Sequence, residues 1–146
     1  MRPDDILCHH ATVAVAAPAE RALAFMADGQ KLGSWAMGCW NTRAVGEGLF
    51  VGTSLFDGTQ GYVRIVVERA LLQVDYHVGP APDRLQHMNT ARVVPGATLG
   101  RDPAGCVVTL LAWRPAAMDD ATWHRIGITH EAEMLLIQSW LAQPNA

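Results

Sequence analysis

Few side chains in this sequence could do chemistry, and His130 leads them. At about 100° per residue, Trp123, Ile126, His130, Met134, Ile137 and Leu141 fall within about 40° of one line. A helix over this block therefore carries a histidine in the middle of an apolar stripe. An imidazole titrates near neutrality and shifts readily with burial, which suits a proton donor, a proton acceptor or an orienting group. A histidine hydrogen-bonded in a packed core has the same spacing. Asp75-Tyr76-His77 is the next group. On a strand, Asp75 and His77 share one face and Tyr76 shares the other with Val74 and Val78. The simplest assignment turns Tyr76 inward as a phenol in an apolar setting and leaves Asp75 and His77 in solvent; the opposite one puts an Asp–His pair inside. Further along, Leu85, His87, Asn89 and Ala91 oppose Gln86, Met88, Thr90 and Arg92, and neither set is cleanly apolar. Arg92, if inward, could hold a carboxylate or enolate; if outward, it is a solvated arginine.

Other chemistries find no support. The six histidines include His9-His10, which alternate faces on a strand, and His124 and His130, about 120° apart on a helix. No metal-ligand spacing results, and no metal or cofactor is expected. Gly46-Glu47-Gly48 lacks the strand and helix that a phosphate-binding loop requires. Cys8, Cys39 and Cys106 are odd in number and far apart, so neither a disulfide framework nor a zinc knuckle is indicated. Cys39 and Cys106 read as small buried hydrophobes with no adjacent base. Five tryptophans, Trp35, Trp40, Trp113, Trp123 and Trp140, could wall a flat ligand or simply pack, with Trp35 and Trp123 expected nearest a mouth.

The elements that must position these groups follow from pattern and punctuation. A first strand is expected over 6–15, and Pro18 and Glu20 then suit the first turn of a helix through Leu23, Phe25 and Met26. A second short helix precedes Gly38. Short strands follow over 40–45, 49–56, 62–68, 72–78, 85–94 and 106–113, separated by turn signals such as Asp57-Gly58. A long helix over 119–143 closes the chain, with Asp119 and Asp120 at its start. Gly127 inside that helix implies a close approach or a bend. A run of strands followed by a helix argues for α+β rather than βαβ units: one domain over 1–146, with a seven-stranded curved antiparallel sheet wrapped around the terminal helix.

This order resembles the START-like superfamily, also labelled SRPBCC, whose helix-grip fold is shared by the birch-pollen allergen and bacterial polyketide cyclase/dehydrase-like proteins. The resemblance spans residues 6–143. It is carried by the segment from Val15 through Pro18 to Asp28, by Trp35, and by Arg92-Val93-Val94-Pro95 followed by Gly105-Cys106-Val107-Val108-Thr109. These motifs mark the fold and say little of function. The resemblance implies an apolar cavity between sheet and terminal helix that receives a small hydrophobic or aromatic ligand, such as a lipid or polyketide. Trp35, Tyr76, Trp123, Ile126, His130, Met134 and Ile137 are the expected ligand-binding residues. The same cavity in a cyclase, aromatase or hydratase would use His130 to move a proton and Tyr76 or Arg92 to steady an oxyanion. A quinone-binding or protein-partner module is a further alternative, and a homodimer is left open.

The chain's bulk composition allows a packed core, a cavity or a partner interface, and the strand order with the helix stripe favours the cavity. Its 146 residues are 50% hydrophobic and 17% charged, against about 25% charged in ordinary soluble domains. Net charge is −3 with no basic run, which disfavours nucleic acid. The acidic, proline-broken start is unlike a secretory signal, and no apolar stretch approaches the ~20 residues of a membrane span. A cytoplasmic protein without stable membrane insertion is the expectation.

Overall fold

A computed structural model describes residues 1–144. Strand β1 (Cys8–Val15) is followed by a short bend to Pro18, whose ring-fixed backbone stands at the N-cap of helix α1 (Ala19–Ala27). Asp28 stops α1 and at the same time caps α2 (Gly29–Leu32), its carboxylate accepting from the backbone N–H of Gln30 at 2.9 Å. Six strands follow: β2 (Trp40–Gly46), β3 (Leu49–Thr53), β4 (Gln60–Glu68), β5 (Gln73–Gly79), β6 (Gln86–Pro95) and β7 (Cys106–Trp113). Gly58, at φ +75°, supplies the left-handed turn residue between β3 and β4. Helix α3 (Asp120–Leu141) begins where the Asp119 carboxylate accepts from the Thr122 N–H at 2.7 Å.

The seven strands form one antiparallel sheet in the order β1-β7-β6-β5-β4-β3-β2. Helices α1 and α2 carry the chain from one edge to the other, and the meander β2–β7 returns it to pair with β1. The expected architecture is therefore present, a curved α+β sheet with two short helices after the first strand and a long terminal helix. Inward positions alternate as a half-buried sheet requires: Val74 and Tyr76, Ala91 and Val93, and Val108 and Leu110 are all buried. Leu23 and Met26 of α1 and Met134, Ile137 and Leu141 of α3 close over them. Each of these large side chains, fully removed from water, stabilises the fold by about 2 kcal/mol. No helix among the described residues is long and apolar enough to cross a membrane.

One irregularity matters for the site. Between β5 and β6, Tyr76 pairs with Asn89 but His77 pairs with His87, so Met88 is an extra residue in β6. The bulge breaks the two-residue period. Asn89 and Ala91 keep to the inner face, whereas His87, of the same parity, lies on the outer face stacked on His77 at 4.9 Å.

Candidate functional site

The C-terminal half of α3 packs tightly on the sheet, but its N-terminal half does not close on the strands beneath it. A pocket of about 280 Å³ opens there. Its walls come from the stretch between α2 and β2 (Trp35, Ala36, Cys39), the β3–β4 loop (Ser54, Phe56), the sheet (Val63, Tyr76, Val78, Asn89, Leu110) and α3 (Arg125, Ile126, Thr129, His130, Glu133). Most of this lining is apolar. The polar groups divide into a buried inner set and an exposed rim.

The inner set centres on His130 and Glu133, one turn apart on α3. His130 is 9% exposed and Glu133 4%. Glu133 Oε2 accepts the backbone N–H of Met37 at 2.8 Å, which ties α3 to the loop before β2. Glu133 Oε1 lies 3.8 Å from His130 Nε2, and Asn89 Nδ2 approaches the same nitrogen at 3.4 Å. Burial penalises both charged forms. The Glu133 carboxyl is pushed up to about 8, the Met37 N–H only partly opposing the shift. The imidazole is pushed down to about 4 by burial and by His9, whose ring centroid lies 6.1 Å away. At neutral pH the two groups are thus an uncharged acid beside an uncharged base, and not an ion pair.

Tyr76 and Trp35 complete this end, their rings edge to face with centroids 6.0 Å apart. The Tyr76 hydroxyl donates to the Met26 carbonyl at 2.6 Å. Burial, and then the nearby Glu133, raise its pKa, so it stays a bound phenol. Trp35 Nε1 and His130 Nδ1 are buried with no partner among the described residues. Cys39 also lines the pocket; burial pushes its thiol up to about 11, and Sγ donates to the Gly61 carbonyl at 3.3 Å. It is a thiol and not a thiolate, unsuited to nucleophilic attack.

Of the residues expected to bind ligand, Trp35, Tyr76, Ile126 and His130 line the pocket. Trp123, Met134 and Ile137 do not. Met134 and Ile137 sit lower on α3, fully packed in the core, and Trp123 is half-buried near the start of the helix, outside the pocket. Arg92, expected as an oxyanion group if inward, is instead exposed on the outer face of β6 and does not line the pocket. Asp75 and His77 also lie outside. There Asp75 accepts the Thr90 hydroxyl at 2.6 Å and lies 3.4 Å from His87 Nε2. Gly127 proves a close approach: a Cβ there would stand 3.2 Å from the His9 ring.

Glu133, Phe56 and Arg125 escaped the sequence reading. Glu133 had a signal, since it falls about 20° from Ile126 and 40° from Ile137 on the helix and so belongs to the stripe. Arg125 and Phe56 had none, because their meeting depends on how the β3–β4 loop folds toward α3.

The sequence matches no family model and no curated protein. Solved structures do match. A START superfamily protein from Mycobacterium smegmatis is 15% identical with a TM-score of 0.64, over 93% of this chain and 97% of its own. The di-domain ARO/CYC protein BexL of the BE-7585A biosynthetic pathway is 17% identical with a TM-score of 0.70, over 92% of this chain and 46% of its own. This chain thus spans about half of BexL. The Aha1 dimer from Colwellia psychrerythraea is 11% identical with a TM-score of 0.67, over 97% of this chain and all of its own. Identities this low speak for the fold alone, and that fold is the START-like helix grip.

Proposed function

We propose that the protein binds a small hydrophobic or aromatic molecule in the pocket between the sheet and the N-terminal half of α3. One observation carries the reading: an apolar-walled pocket of about 280 Å³ whose inner end holds a buried, uncharged carboxyl–imidazole pair. Such a pocket is at the small end of the range for small-molecule sites, which are mainly apolar with a few orienting polar groups. The unpartnered Trp35 N–H supports the same reading, because an orphaned buried donor costs about 1–3 kcal/mol and an acceptor on a ligand would remove that cost. A ligand oxygen at the Trp35 indole would satisfy that donor. Mass spectrometry of small molecules released by denaturing the purified protein tests the proposal. A stoichiometric apolar compound is expected, and it should be absent from a variant whose pocket is filled by Val78→Trp.

A second reading is favoured by the 3.8 Å separation of Glu133 and His130, which lets the pair act on neighbouring atoms of one substrate. In an enzyme of the cyclase or dehydratase kind, the protonated Glu133 would donate to a carbonyl or leaving oxygen, and neutral His130 would take a proton from the adjacent carbon. Tyr76 would contribute through position only, its hydroxyl being engaged by Met26. Turnover of an enolisable aromatic ketone, lost in both His130→Ala and Glu133→Gln, would favour this reading over simple binding.

A further inference from the structure

The two ends of the pocket differ in charge. The inner end is buried and uncharged, and the Trp35 indole N–H and His130 Nδ1 there lack partners among the described residues. At the rim stands Arg125, the one cationic side chain among the described residues that line the pocket. Its guanidinium carbon lies 4.8 Å above the centre of the Phe56 ring, so a cation–π contact holds it over the mouth. Asp57 and Asp119 are close enough to feel its charge. Neither forms an ion pair with it among the described residues: Asp57 accepts from Thr59, and Asp119 caps α3. The planar guanidinium therefore has its fork of donors free beside an apolar cavity, a geometry suited to a carboxylate.

We propose that the natural ligand is an organic acid, with an apolar or aromatic body in the pocket, a neutral oxygen acceptor at the Trp35 end and a carboxylate on Arg125 at the mouth. The inference rests on the pocket being a ligand site and adds the chemical class and the orientation. A carboxylate facing inward would meet no cation and would be desolvated beside Glu133, whereas at the rim it keeps part of its hydration and gains a charge-assisted bond.

The test is a titration with matched acids and primary amides, from benzoate and benzamide to 6-acetyl-2-naphthoate and its amide. Binding is read by calorimetry in the wild-type protein and in Arg125→Gln, an exposed position where folding is not at stake. The wild-type protein should prefer the larger acid to its amide about tenfold, the scale of one charge-assisted hydrogen bond. Arg125→Gln should lose that preference while binding the amide as before. Equal binding of acid and amide by the wild-type protein would overturn the acid assignment and leave the pocket reading standing. A preference that survives in Arg125→Gln would place the anion elsewhere and overturn it too. If no acid or amide in the series binds, the pocket reading itself falls and this inference falls with it.

Discussion

Replacing Glu133 by Gln should change how stability depends on pH, and the size of the change follows from burial. In the unfolded chain the carboxyl ionises near its ordinary value of 4.5, and in the fold it holds its proton to about 8. Between these values the folded state binds one more proton than the unfolded state, so stability falls as pH rises, by about 1.4 kcal/mol per pH unit. Across the window this amounts to about 4 kcal/mol. His130 acts in the opposite sense. It is neutral in the fold down to about 4 and protonates near 6.5 when unfolded, so its contribution is complete above 6.5 and lost as pH falls toward 4. In the wild-type protein the two slopes cancel between about 4.5 and 6.5, and a decline of about 2 kcal/mol emerges from 6.5 to 8. Gln at 133 keeps an oxygen for the Met37 N–H and removes the titration. Urea unfolding followed by tryptophan fluorescence, repeated from pH 4.5 to 8.5 under reducing conditions, gives both curves. The stability of Glu133→Gln relative to wild type should rise by about 4 kcal/mol over that range. Parallel curves would show that Glu133 ionises normally in the fold, and the uncharged pair at the heart of the site would be refuted.

Tyr76→Phe should cost about 1–3 kcal/mol in chemical denaturation by removing the donor to the buried Met26 carbonyl. It should leave ligand affinity within about twofold of wild type, because that hydroxyl faces the protein. Gly52→Ala should be destabilising by about 1–3 kcal/mol, since its Cβ would stand 2.7–2.8 Å from backbone atoms of Cys39 and Trp40. The Cys39 wall would have to shift, so ligand binding should weaken in the same variant, measured by calorimetry.

The fold was legible because its signals are local. Asp57-Gly58 marks a hairpin whatever lies beyond it, Asp119 caps a helix within one turn, and the β7 range follows from the residues between Gly105 and Pro115. The site was legible only in part, because its limits are set by tertiary geometry. One apolar stripe runs the length of α3, but the sheet lies against it at Met134, Ile137 and Leu141 and leaves room at Ile126 and His130. Periodicity names the face that turns inward and does not say where along it the partner surface recedes. The β6 assignment stayed ambiguous for a related reason: the extra Met88 moves His87 to the outer face and keeps Asn89 inside, and a bulge leaves no mark in the residue pattern. Glu133 falls on the stripe, but a carboxylate ordinarily faces solvent; here the Met37 N–H anchors it inside and burial keeps it neutral at physiological pH.

The central claim is that the space beneath the N-terminal half of α3 is the ligand site. Amide and indole chemical-shift mapping during titration with 6-acetyl-2-naphthoate tests it most directly. The account predicts saturable shifts concentrated at the Trp35 indole N–H, Cys39, Asn89, His130 and Glu133, with Met134, Ile137 and the outer-face residues Asp75 and His87 unmoved. Saturable binding that leaves the Trp35 indole resonance in place and shifts the outer face instead would contradict it.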